Sequence, residues 1–194
     1  MSSLSDEQLI KSCIAGNREH YRLVYERYKD YVAGLVWRLV RDGEVARDLT
    51  QETFLKAFKA LNKFRAESSF KTWLSRIAVN QCKDYLRGLK RRRGKAHVSL
   101  NASENEGVIE LPAKDLASDP QRQVLQKELK TVVEAAMDKL STEHKTVILL
   151  WQEGFSYDDI AAITKTSQET VGSRVYYAKM HLRNLLIPYI KGTG

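Results

Sequence analysis

A chain of 194 residues has room for one large domain or two small ones, and 43% hydrophobic with 29% charged residues is the make-up of a soluble globular protein. With three prolines and no apolar run near the roughly 20 residues that span a bilayer, direct membrane insertion is excluded, and a net charge of +8 favours a polyanionic partner. The opening residues 1–7 lack the basic and apolar stretches of a secretory signal, so a cytoplasmic location is expected.

In chain order, apolar residues first recur at helical spacing at Tyr28, Val32, Leu35 and Leu39, then at Phe54, Phe58 and Leu61, then at Phe70, Trp73 and Ile77. Arg41-Asp42-Gly43 suits a helix end, and residues 62–69 supply a second break. These features predict a bundle of about four helices over residues 1–94. Its last helix runs into Lys83–Lys95, which holds seven basic residues and one acidic. Basic groups beside Phe70, Trp73 and Tyr85 suit single-stranded nucleic acid, because rings stack on unpaired bases while cations follow the backbone. A core role for Phe70 and Trp73, spaced i and i+3, fits the same pattern.

The periodicity stops over residues 95–120, where an acidic, turn-prone stretch with Glu104, Glu106, Glu110, Asp115 and Asp119 predicts a flexible linker. A second helical domain is expected over 121–194. Its stripe Leu125, Leu129, Val132, Ala136 and Leu140 ends at Ser141, a candidate cap for the helix carrying Val147, Ile148 and Trp151. Gly154 closes that helix, and Ser156-Tyr157-Asp158-Asp159 resembles a capping box. After the turn Lys165-Thr166-Ser167, Val171, Val175, Ala178, Leu182 and Leu185 form a new apolar stripe, with Ser167 as its N-cap.

A short helix, a tight turn and a longer helix over Tyr157–Leu186 fit a helix-turn-helix, whose second helix offers its outer face to the major groove; a plain helical hairpin shares the pattern. If the Val171 stripe is buried, a turn of 100° per residue points Glu169, Ser173 and Tyr176 outward with Gly172 and Tyr177 beside them. Arg174 falls nearer the buried edge, where it reaches a phosphate or an internal carboxylate.

Cys13 and Cys82 sit among apolar neighbours and read as reduced, buried thiols. His20, His97, His144 and His181 have no ligand spacing. No metal, cofactor, small-molecule substrate or catalytic residue is therefore expected.

Taken together, Asp48-Leu-Thr-Gln-Glu-Thr-Phe54, Phe64-Arg65 with Phe70-Lys-Thr-Trp73 through Asn80, Gly154 to Ala161, and Thr170-Val-Gly-Ser-Arg174 resemble the extracytoplasmic-function group of bacterial sigma factors over nearly the whole chain. The resemblance implies an all-α protein of two small helical domains, sigma domain two and sigma domain four, joined by the acidic linker. It implies core RNA polymerase as a partner, through the clamp helices of its largest subunit and its flap, together with promoter DNA and an anti-sigma factor. By resemblance, Asp48, Gln51 and Glu52 dock on the clamp helices, while Phe64 and Asn80 hold a flipped base at the minus-10 element, with Phe70, Trp73, Lys83 and Arg87 along the strand. Ser167, Gly172, Ser173, Arg174, Tyr176, Tyr177 and Lys179 would meet the minus-35 duplex, and the linker would thread the polymerase channel. Two departures bear on promoter choice: family members commonly have a basic residue at the Gly172 position and frequently one at Tyr177.

Two rivals have other signatures. A stand-alone helix-turn-helix regulator would bind palindromic half-sites as a dimer, and the first two motifs count against it. An enzyme acting on nucleic acid needs clustered acids, a nucleophile with its base, or a metal site, and none is recognisable.

Overall fold

The computed structural model describes residues 4–95 and 130–191, and all regular structure among them is helical. They fall into two compact units.

The first unit begins with α1, Asp6–Ile14, which sequence periodicity did not place. A capping box starts it: Ser5 Oγ accepts from the Gln8 amide and Gln8 returns the bond to the Ser5 amide. Leu9, Ile10 and Cys13 bury one face of this short helix. The Asp6 carboxylate accepts from the Tyr28 hydroxyl and pairs with Arg27, which fastens α1 to α2, Arg18–Val40. Burial first, then the bond to Asp6, pushes the Tyr28 phenol well above its ordinary pKa.

Helix α2 packs on α1, α3 and α4 and supplies the centre of the core, with Val32, Leu35 and Val36 fully enclosed. Each such side chain contributes about 1.5–3 kcal/mol by leaving water. The α2 end falls where the Arg41-Asp42-Gly43 signal puts it, with the roles redistributed. Arg41 takes the left-handed turn at φ 56° with its guanidinium 4.5 Å over the Trp37 ring. Asp42 already caps the next helix through the Val45 amide at 3.0 Å. Gly43 is the first residue of α3, Gly43–Lys59. Leu61 lies outside α3, in a 3₁₀ turn over Leu61–Lys63, yet is buried. Ser69 Oγ then caps α4, Phe70–Lys95, through the Thr72 amide at 3.0 Å.

The second unit opens with a helical segment at 130–138, α5, followed by α6, Thr142–Gln152, α7, Tyr157–Thr164, and α8, Gln168–Lys191. Three serines make the starts. Ser141 accepts from the His144 amide at 3.3 Å, Ser156 from the Asp159 amide at 3.1 Å and Ser167 from the Thr170 amide at 3.2 Å. Gly154 ends α6 at φ +83°, a left-handed conformation in which a side chain is strained. Val147, Ile148 and Leu150 of α6, Ile160 of α7 and Val171, Val175 and Ala178 of α8 are buried, and α6 packs on α8. Lys145 is buried in this unit and bonds Asp138 of α5, satisfying a charge that would be costly alone. The linker expected at 95–120, apart from Lys95, and the stripe residues Leu125 and Leu129 lie outside the described residues.

Candidate nucleic-acid interface

Three surfaces carry the residues singled out from the sequence. On α3, Leu49, Thr53, Phe54 and Ala57 are buried, and this turns Asp48, Gln51 and Glu52 to solvent. Leu55 completes the same face at i+7 from Asp48 and is 54% exposed, an apolar group among polar ones. Motif reading missed its exposure, although the spacing from Asp48 contains it. Glu52 pairs with Lys56 at 2.8 Å. That hydrogen bond holds the carboxyl below its ordinary range, against a smaller opposing effect of burial.

On the second surface, Phe64 meets Phe70 edge-on at 5.7 Å and Trp73 at 5.5 Å. Phe70 also meets Tyr28 at 5.3 Å and is 3% exposed. In this structure the ring, expected from the resemblance to lie along the DNA strand, packs in the core and supports Phe64 and Trp73. Phe64 and Trp73 are half-buried. Asn80 follows Trp73 by two helical turns, about 10 Å along α4 and on nearly the same side. Arg87 lies a further seven residues on, exposed and paired with Asp84 at 3.3 Å. Trp73, Asn80 and Arg87 thus form one stripe about 21 Å long, with rings at one end and cations at the other. Lys83 is part-buried at its edge, and the exposed Lys90, Arg91 and Arg92 extend the positive end.

On the third surface, burial of Val171, Val175 and Ala178 leaves Glu169, Ser173, Tyr176 and Tyr177 exposed, with Arg174 half-buried. Tyr176 and Tyr177 are 64% and 54% exposed with ring centres 5.6 Å apart. The Ser167 hydroxyl, then the helix's own backbone N–H, hold the Glu169 carboxyl below its ordinary range. Gly172 is overlain by the ring of Tyr157 from α7, a neighbour that sequence spacing did not disclose. Lys179, expected at a phosphate, has its ammonium 3.4 Å over the Trp151 ring. Beside Tyr177, a shallow groove of ≈ 390 Å³ is lined by Leu140, His144, Met180 and His181 among others.

Among the described residues no cluster of three or more histidine, cysteine or acidic side chains is arranged to hold a metal, and no helix is long and apolar enough to cross a membrane.

Comparison with known proteins accounts for this combination of a helical bundle and a helix-turn-helix unit. Residues 24–92 match the family Sigma-70 region 2, and residues 130–182 match Sigma-70, region 4. The chain is 35% identical to the RNA polymerase sigma-H factor of Pseudomonas aeruginosa over 188 residues, 96% of each chain. It is 36% identical to the ECF RNA polymerase sigma-E factor of Escherichia coli K12 over 189 residues, 97% of each. Among solved structures, the sigma factor RpoE of Bartonella quintana, crystallised with the anti-sigma factor NepR, superposes with a TM-score of 0.66 at 26% identity, over 86% of this chain and 96% of that one. The chain belongs to the extracytoplasmic-function sigma factors of the sigma-70 family. It acts with RNA polymerase to start transcription at specific promoters.

Proposed function

We propose that the two units divide the work of promoter recognition, residues 1–94 holding polymerase and the minus-10 element and residues 121–194 reading the minus-35 duplex. In unit one, Asp48, Gln51, Glu52 and Leu55 dock on the clamp helices of the largest polymerase subunit. Phe64, Trp73, Asn80, Lys83 and Arg87 receive the non-template strand. The observation that carries this reading is the α4 stripe, in which aromatic, amide and cationic groups share one side of one helix. A base leaving its stack costs a few kcal/mol, and aromatic contact with amide hydrogen bonds offsets part of that.

Helix α8 enters the major groove with Ser173, Tyr176 and Tyr177 toward base edges and Arg174 and Lys179 toward phosphates. The protein is a non-catalytic initiation factor, works in the cytoplasm where its polymerase is, and is held in check by an anti-sigma factor, as the Bartonella relative is found with one.

Permanganate footprinting of the minus-10 element tests the strand-separating surface. Phe64→Ala and Asn80→Ala should impair opening more than closed-complex formation. Normal opening by both variants on a natural promoter would remove the pocket from the proposal.

A further inference from the structure

Gln81, immediately after Asn80 on α4, is a buried polar residue at 7% exposure that the proposed function does not use. Its Oε1 accepts from Lys56 Nζ at 2.7 Å, across the α3–α4 packing. The same ammonium pairs with Glu52 at 2.8 Å. An ammonium only donates, so it fixes which way the amide points. Gln81 Nε2 is thereby turned away from the ammonium, buried and with no close hydrogen-bond partner among the described residues. It nevertheless lies close enough to Glu52 for its dipole to help keep that carboxyl ionised.

We infer that Lys56 is a positioning residue that links the polymerase-docking carboxylate Glu52 on α3 to the buried amide of Gln81 beside Asn80 on α4, so that α4 is held ready for strand separation. This rests on the reading of α3 as the docking face and of α4 as the strand-separating one. The link has two charge-assisted hydrogen bonds, one on each helix, and one end is buried where the bond is least weakened by water. Removing the ammonium frees Glu52 at the surface and leaves Gln81 Oε1 without this donor in the interior. The loss is therefore felt at α4 more than at the docking face.

The test uses the full chain with core polymerase and Lys56→Met, which keeps the aliphatic stem and removes the charge. Affinity for core polymerase should stay within about twofold, because a half-exposed ion pair contributes little. Opening of a duplex promoter should slow by about tenfold, the effect expected of one lost charge-assisted bond to a buried group. On a template whose minus-10 region is mismatched and already open, the variant should match wild type. Lys56→Arg, which keeps a cation with several donors, should recover most of the rate, and Gln81→Leu should reproduce the Lys56→Met defect without adding to it in the double variant. Unchanged opening, equal slowing on both templates, or loss of helicity in Lys56→Met would each overturn the inference. The docking reading fails separately, on the polymerase affinity of α3 surface variants, and the strand-separation reading fails on Phe64 and Asn80 variants.

Discussion

The ring of Tyr157 lies over Gly172, with Cε2 3.6 Å from the point where a Cβ on the glycine would stand. That is ordinary contact distance, so a side chain at 172 fits beside the ring. Gly172→Lys should therefore fold, and the gain in helix propensity should raise stability by about 0.5–1 kcal/mol. It should also tighten promoter binding for all sequences alike and steepen the salt dependence by about one counterion, since a lysine there reaches the backbone. Thermal melts and promoter affinity over a salt series read the two effects separately. A variant that unfolds, or that binds with an unaltered salt slope, contradicts this placement.

Specificity at the minus-35 element should reside in Ser173, Tyr176 and Tyr177. Each alanine substitution should cost roughly 1–3 kcal/mol at one promoter position, while Arg174→Ala and Lys179→Ala weaken all sequences together. The Ser173 hydroxyl donates to the Thr170 carbonyl at 3.0 Å, so toward DNA its oxygen is set to accept. Selection from randomised minus-35 sequences by holoenzyme decides between these roles, and an unchanged consensus in the triple alanine variant would count against α8 as the reader.

On α3 the apolar and acidic groups should act together. Asp48→Lys, Glu52→Lys and Leu55→Asp should each lower affinity for core polymerase by about tenfold or more while helicity is preserved. The fold tolerates all three because each side chain is exposed. Titration of labelled core polymerase provides the measurement, and full affinity in the three variants would place the docking surface elsewhere.

The two phenylalanines of the aromatic cluster should separate into stability and function. Phe70→Ala opens a cavity among Tyr28, Phe64 and Trp73 and should cost about 3–5 kcal/mol of folding stability. Phe64→Ala, at a half-buried site, should cost less and slow opening in protein that is fully folded. Denaturant unfolding of the full chain distinguishes them, and equal losses would mean that Phe64 is as much a core residue as Phe70.

What could be read in advance was mostly short-range. Ser141, Ser156 and Ser167 declare helix starts within a few residues, and the Val171–Val175–Ala178 spacing alone turns Ser173 and Tyr176 outward. The rest depends on partners distant in sequence. Nothing local to Phe70 says that Tyr28 closes over it, because the pair is brought together by the packing of α2 on α4. The overlap of Tyr157 with Gly172 likewise arises from the way the helix-turn-helix folds back on itself. Helix α1 escaped because its buried apolar set is only Leu9, Ile10 and Cys13, within a single nine-residue helix too short to establish a period, although Ser5 and Gln8 carried the start signal.

The enclosure of Cys13 in α1 and Cys82 in α4 gives the protein two internal clocks. Each cysteine is 1% exposed, and burial raises the pKa of both thiols, that of Cys82 to about 12. The thiolate is the form that attacks, so an alkylating reagent finds neither group while its helix is seated. Labelling then proceeds at the pace of local opening, one cysteine timing the release of the first helix and the other the loosening of the helix beside Asn80. Mass spectrometry of the alkylated chain can follow both at once, without adding a probe, as polymerase or an inhibitor is supplied.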